Sequence, residues 1–202
     1  MDQVKSAYPE LSIMRWIEEG CQTAPDRCLL ATVDACFAYG EVGQWTISLA
    51  QYFAKELGLG AGSTVVLCAP NIVHVLVVLS AAQLLDVRVA LFPPATGTAE
   101  FERAVGLVGP QLIISSDPCR FGEARGVITD VRCMLTEGRD VGAPSVDEAM
   151  RRPIAGEVAF PNASANAPII VFTSGSTGVP KAIVNRASSF ALNGLALRKW
   201  LR

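Results

Sequence analysis

Short runs of β-branched and other apolar residues alternate with helical segments along the middle of this chain. The expected elements are strands at residues 64–68, 87–92 and 112–115 and helices at 71–85 and 99–108. Neighbouring parallel strands need a long crossover connection, which is usually a helix. The order therefore predicts an α/β fold, with a mostly parallel sheet sandwiched by helices.

The flanking segments extend the same pattern. A helix at 41–57 has an apolar stripe that includes Val42, Trp45 and Leu49, and Gly58 ends it. The other expected elements are a helix at 11–22, a strand pair at 28–33 and 36–39, a short strand at 133–135, and a short helix that runs to Arg151 from a capping box at Ser145 and Glu148. These elements favour an N-terminal α/β subdomain over residues 1–155.

The segment TSGSTGVPK differs in chemistry from the rest of the chain. It is a glycine-punctuated loop of small residues between the apolar runs 169–172 and 182–184, and it is expected to join two strands. Backbone N–H groups in such a loop can form an anion-binding nest, and hydroxyls and a lysine can bind phosphate oxygens. The candidate ligands of a nucleotide polyphosphate are Thr173, Ser174, Gly175, Ser176, Thr177, Gly178 and Lys181.

Two other interpretations compete with phosphate binding by this loop. A Walker P-loop leads into a helix and has a hydroxyl directly after its lysine, whereas here Ala182 follows Lys181 and Pro180 disfavours an immediate helix. A flexible Gly/Ser surface loop is the structural alternative. The flanking strands and the terminal lysine favour phosphate binding over that alternative.

The FTSGSTGVPK segment resembles the phosphate-binding signature of the adenylate-forming superfamily, which includes acyl-CoA synthetases, nonribosomal peptide synthetase adenylation domains and luciferases. Segments 37–42, 69–71 and 83–94 resemble further family segments in the expected order. The resemblance implies that residues 173–178 wrap the phosphates of ATP, that Mg²⁺ bridges those phosphates, and that Lys181 assists through its charge. It also implies that a carboxylic acid is converted to an acyl-adenylate and passed to coenzyme A or a phosphopantetheine thiol.

The chain also departs from the family pattern. Ala182 and Asp86 stand where the family usually has glycine, and Ala187 stands near a usual histidine. Residues 156–168 are interpreted as a linker because they are mostly small. The family's ribose-binding and lid motifs would follow Arg202, so residues 169–202 are interpreted as the phosphate-binding strand–loop–strand and a following helix that start an incomplete second subdomain. Two hypotheses remain: an N-terminal portion of a carboxylate-activating ligase, inactive alone, or a truncated, non-catalytic relative that binds nucleotide or a partner. No catalytic residue is assigned.

Composition limits the possible partners. The formal net charge of −2 argues against binding nucleic acid through bulk electrostatics. The apolar stretch at 72–85 is shorter than the ~20 residues that span a bilayer, so no membrane span is expected. Six cysteines without a C-x-x-C pair predict free thiols in the cytoplasm rather than disulfides or a zinc site. His74 is interpreted as a core or helix-end residue. The expected partners are ATP, a carboxylic acid, and a carrier protein or a complementing C-terminal portion.

Overall fold

The computed structural model describes residues 12–140, 143–154, 160, 167–173 and 181–200. Within these ranges one sheet has six strands: β3 (Thr64–Cys68), β4 (Arg88–Leu91), β5 (Leu112–Ser115), β6 (Arg132–Leu135), β9 (Pro168–Thr173) and β10 (Lys181–Arg186). Their order in the sheet is β10–β9–β4–β3–β5–β6. All neighbouring pairs are parallel except β9 and β10, which are antiparallel. The α/β fold with a mostly parallel sheet is thus confirmed.

Helices and short hairpins cover and extend this sheet. The helices are α1 (Ile13–Thr23), α2 (Tyr39–Lys55), α3 (Ile72–Leu84), α4 (Thr98–Val108), α5 (Cys119–Arg125), α6 (Val146–Met150) and α7 (Ala187–Trp200). Two small hairpins pair β1 (Cys28–Ala31) with β2 (Cys36–Ala38) and β7 (Arg139–Asp140) with β8 (Ala143–Pro144). Helix α5 and the β7–β8 hairpin were not expected from the sequence.

The strands alternate their side chains between two hydrophobic cores. Val65, Leu67 and Ile114 pack with residues of α1, α2, α3 and α6 on the first face of the sheet. Val66 and Ile113 pack with residues of α4 and α5 on the second face. Because both faces are covered, β3 and β5 are buried along their whole length. The near-continuous apolar runs in these strands follow from that burial.

Local signals in the sequence set several helix ends. The Asn71 side chain accepts a hydrogen bond from the Val73 N–H at the start of α3. Gly109 ends α4 in the left-handed conformation. The predicted capping box is present at α6, where the Ser145 hydroxyl accepts from the Glu148 N–H.

The prediction that the cysteines are free thiols is wrong for one pair. Cys28 and Cys36 form a disulfide across the β1–β2 hairpin, with their Cα atoms 5.9 Å apart. Pairing in the hairpin brings these two residues together although eight positions separate them in the sequence. Cys21, Cys68, Cys119 and Cys133 take part in no disulfide.

Candidate functional site

Thr173 and Lys181 lie side by side at the loop end of the β9–β10 hairpin. Thr173 is the last residue of β9, Lys181 is the first residue of β10, and the two are direct partners in the antiparallel ladder. Both residues are exposed. The predicted strand–loop–strand arrangement is confirmed on either side of the loop. Ser174, Gly175, Ser176, Thr177 and Gly178 lie outside the described residues, so their role stays a prediction.

The position of Thr173 follows from the pairing of β9 with β4. Val89, Ala90 and Leu91 pair in parallel with Ile169, Ile170 and Val171. Thr173 therefore lies at the carboxyl edge of the sheet, where β3, β4, β5 and β6 also end. In open α/β sheets, ligands bind in the crevice outside the carboxyl ends of the strands. An exposed hydroxyl and an exposed ammonium at this edge are suited to binding an anion.

The segment after β4 forms the neighbouring wall of this edge. The Phe92 ring stacks on the Phe172 ring, with centroids 4.6 Å apart and an interplanar angle of 24°. The Thr96 hydroxyl donates to the Pro93 carbonyl, which closes a turn in this segment. The residue before Thr173 is therefore packed directly against the segment that follows the adjacent strand.

A second polar cluster surrounds His74 in the first turn of α3. His74 is 2% exposed, and its Nε2 lies 3.0 Å from Asp147 Oδ1 of α6. Its Nδ1 lies 3.8 Å from Glu137 Oε1 in the segment after β6. His74 is buried, as expected for a core residue, but its two carboxylate neighbours were not evident from the sequence, because they lie more than 60 positions away. This cluster links α3 to α6.

Three free thiols differ from activated nucleophiles. Burial raises the pKa of the Cys21 and Cys68 thiols above the ordinary value. A hydrogen bond with the Asp117 side chain, together with the Asp117 charge, raises the pKa of the Cys119 thiol. A reactive cysteine needs a lowered pKa to be a thiolate near neutral pH. These three thiols are therefore not poised for nucleophilic catalysis.

A cavity of about 450 Å³ opens elsewhere, between α1, the start of α2 and α7. Trp16 and Tyr39 supply aromatic walls, and Glu19 and Arg27 supply charges of opposite sign. Its described lining includes neither Thr173 nor Lys181. Within the described ranges, no helix is both long enough and apolar enough to cross a membrane.

Comparison with known proteins adds independent information. The sequence model of the family described as "AMP-binding enzyme" matches residues 17–200. The chain is 29% identical over 187 residues to the NRPS-like tryptophan epimerase fscC of Fusarium equiseti. The aligned region covers 89% of this chain and 12% of that protein. The chain thus spans only a small part of this curated relative.

Two solved structures share the fold. The luciferase-like enzyme from the mealworm Zophobas morio superposes with a TM-score of 0.77 at 22% identity, over 91% of this chain and 44% of that one. Mycobacterium smegmatis MbtA superposes with a TM-score of 0.75 at 20% identity, over 94% of this chain and 37% of that one. Both solved chains are more than twice the length of the matched part.

Proposed function

The chain belongs to the AMP-binding enzyme family, and on that premise we propose that it carries the polyphosphate-binding loop of an ATP-dependent carboxylate-activating enzyme. The observation that supports this most is the pairing of Thr173 with Lys181 at the carboxyl edge of the sheet. A hydroxyl and a positive charge are adjacent there, at the mouth of the glycine-rich loop that the sequence singles out.

The proposed roles follow from the chemistry of each group. The Thr173 hydroxyl donates to a phosphate oxygen, and the Lys181 ammonium offsets the negative charge of the polyphosphate. Ser174, Ser176 and Thr177 are proposed to add hydroxyl donors, while Gly175 and Gly178 let the backbone approach the phosphates. Mg²⁺, bound through phosphate oxygens, would supply further charge neutralisation. Positioning and electrostatic stabilisation of this kind are the main contributions of a protein to chemistry at phosphorus.

In the proposed reaction, a carboxylate oxygen attacks the α-phosphorus of ATP. A bond forms between that oxygen and phosphorus, the bond from the α-phosphorus to the bridging oxygen breaks, and pyrophosphate leaves. A thiol, either that of coenzyme A or that of a carrier protein's phosphopantetheine, would then attack the acyl carbon of the acyl-adenylate. A carbon–sulfur bond forms, the bond from that carbon to the phosphate oxygen breaks, and AMP and the thiol proton leave. The similarity to an NRPS-like protein favours the carrier-bound thiol.

The share of the relatives that the chain covers limits what it does alone. It covers 44% and 37% of the two solved chains described above. We propose that residues 1–202 do not form acyl-adenylate without the further part of such an enzyme. A separate proposal is that the complete enzyme acts in the cytoplasm. The division into 1–155, the linker 156–168 and an incomplete second subdomain from 169 also stays a proposal.

A second candidate function is a non-catalytic module that binds nucleotide or a partner. The exposure of β10 favours it, because Ile183 and Val184 are open to solvent. β10 is also an edge strand of the described sheet, so its outer backbone groups are free to pair with another strand.

Replacing Lys181 with Ala in a complete enzyme that contains this chain tests the proposal. Charge-assisted contacts to phosphate contribute about 1.5–3 kcal/mol each, so adenylation should slow by roughly ten- to a hundredfold. Thioester formation from preformed acyl-adenylate should be almost unchanged, because pyrophosphate has already left. The matched control is Lys55→Ala, which removes an exposed lysine at the end of α2.

The two half reactions are measured separately, beside a thermal melt. Equal loss in both half reactions, or an equal effect of Lys55→Ala, would contradict the phosphate-binding role. Background ATP–pyrophosphate exchange by the isolated chain is expected with fatty, aryl and amino acids. Robust exchange by that chain would show that it needs no complementing part.

A further inference from the structure

Arg120, at the start of α5, is a buried cation with several partners near the carboxyl edge. It is 7% exposed, and its Nη1 donates to Glu123 Oε2 over 2.8 Å. Its Nη2 donates to the carbonyls of Pro94 and Thr96 in the segment after β4. A buried guanidinium is costly to desolvate unless it is paired and hydrogen-bonded in this way. These contacts fix the segment after β4 to α5.

The same guanidinium begins a line of contacts that ends at the candidate site. Its Cζ lies 4.9 Å from the centre of the Phe101 ring. Phe101 meets Phe92 edge to face with centroids 5.2 Å apart, and Phe92 stacks on Phe172. We call Arg120, Phe101, Phe92 and Phe172 the Arg120 cluster.

The Arg120 cluster contacts the β9–β10 hairpin at the residue next to the site. Phe172 directly precedes Thr173, and it pairs with Ala182, which directly follows Lys181. β9 is held on its inner side by β4, but β10 is hydrogen-bonded to no described strand on its outer side. The described pairing of β4 with β9 ends at Val171, so the side-chain contact at Phe172 restrains the loop end of the hairpin beyond that pairing.

We propose that the Arg120 cluster positions Thr173 and Lys181 for polyphosphate binding. Arg120 and Phe92 touch no ligand in this proposal. They act through Phe172, which fixes the positions of the neighbouring Thr173 and Lys181 at the carboxyl edge of the sheet. This inference rests on the proposed function. A displacement of about 1 Å at a binding or reacting group can cost a large factor in rate or affinity, so such support has functional weight.

The test uses the 202-residue chain and two readouts. One is the affinity for inorganic tripolyphosphate in the presence of Mg²⁺, measured by calorimetry. The other is amide hydrogen exchange of residues 169–173 and 181–186, compared with residues 64–68. The variants are Arg120→Met, which removes the charge but keeps the stem, and Phe172→Leu, which removes the ring. Phe172→Tyr keeps the ring and serves as the conservative variant.

The first face of the sheet offers matched controls. Arg151 lies 5.1 Å over the Trp45 ring and 4.0 Å from Asp147, so it also combines a cation–ring contact with an ion pair. Phe37 meets the same Trp45 ring with centroids 5.7 Å apart. Arg151→Met and Phe37→Leu thus remove contacts of the same kinds on the other side of the molecule, although the Arg151 side chain is 58% exposed and Arg120 is buried.

We expect Arg120→Met and Phe172→Leu to weaken tripolyphosphate binding and to speed exchange in the hairpin, each by about tenfold, which is the factor for one lost contact of ~1.4 kcal/mol. Residues 64–68 should stay protected, and Phe172→Tyr, Arg151→Met and Phe37→Leu should match the unaltered chain in both readouts. The positioning role is overturned if Arg120→Met and Phe172→Leu change neither hairpin exchange nor affinity, or if exchange rises equally in residues 64–68. It is also overturned if Arg151→Met and Phe37→Leu have the same effects as Arg120→Met and Phe172→Leu.

Failure of the proposed function gives a different result. If neither the unaltered chain nor a complete enzyme that contains it binds tripolyphosphate, the proposed function fails and the positioning role fails with it. If only the complete enzyme binds, the same variants are compared in that enzyme. If the chain binds tripolyphosphate and Lys181→Ala weakens binding while Arg120→Met does not, only the positioning role fails.

Discussion

The centre of the sheet and the β9–β10 hairpin are built from similar residues in very different surroundings. Ile113 in β5 is 0% exposed, whereas Ile183 in β10 is 45% exposed. The central strands have a neighbour on each side and helices on both faces, while β10 has a described strand on one side only. Apolar β-branched residues therefore build both regions, but burial stabilises the central strands and β9, where Ile169 and Ile170 are buried, and not β10. The candidate site lies in the second region, where local opening needs less free energy.

The largest expected effect compares the two isoleucines directly. Ile113→Ala removes buried methyl and methylene groups from the second core, so it should lower the free energy of unfolding by about 2–5 kcal/mol. Ile183→Ala removes the same atoms from an exposed position and should cost less than about 1 kcal/mol. Urea unfolding curves of both variants measure the difference. Equal losses would mean that the hairpin is as well packed as the centre.

A second prediction asks whether the helices are packed as tightly as the strands that they cover. A Cβ added at Gly43 of α2 would lie 2.4 Å from the Cys21 sulfur of α1. That sulfur donates to the Tyr39 carbonyl over 3.0 Å, so moving it breaks a contact. Gly43→Ala should therefore lower the free energy of unfolding by about 1–3 kcal/mol.

The control for that variant is Gly60→Ala, because a Cβ at Gly60 meets nothing within 4 Å. Its effect should stay within about 0.5 kcal/mol. Thermal melts of the two variants under one set of conditions are sufficient. If the two midpoints coincide, the contact between α1 and α2 is looser than the structure indicates.

The smallest expected effect is a gain in stability at Asp86, which lies just before strand β4. Asp86, between α3 and β4, has a φ of 54° and is the one non-glycine residue with positive φ in the described part of the chain. Asp86→Gly relieves that strain but gives the unfolded chain more freedom, so a gain of about 0.5–1 kcal/mol is expected. Asp130→Gly, at a residue without positive φ, should give no gain in chemical denaturation. A loss at Asp86 would show that its side chain has a stabilising role.

Much of the central region could be predicted because its signals are local. The bounds of β3 and β5 match the apolar runs, and the caps at Asn71 and Ser145 mark the helices that follow. Asp86 was identified as a substitution for a usual glycine, and its left-handed backbone explains why glycine suits that position. The expected α/β class follows from the same periodicity.

The features that were missed are either too short to give a periodic signal or depend on contacts between distant parts of the sequence. Helix α5 is seven residues long and contains Gly122, so its periodicity is too short to detect. The strand order places β9 beside β4, and no local pattern specifies that neighbour. The Arg120 cluster joins residues up to 80 positions apart, and Arg120 alone resembles any surface arginine in the sequence. At the candidate site, the ends of β9 and β10 could be predicted from the sequence, but the packing of the Arg120 cluster against them could not.

The disulfide in the β1–β2 hairpin gives the chain a covalent topology that is not linear. Val33, at the tip of this hairpin, is fully exposed, so the tip is an accessible point for a protease. Cys28 and Cys36 lie on either side of it. A single cut at the tip would open a ring without releasing a fragment, and the nicked molecule would keep its full mass until a reductant separated the two pieces.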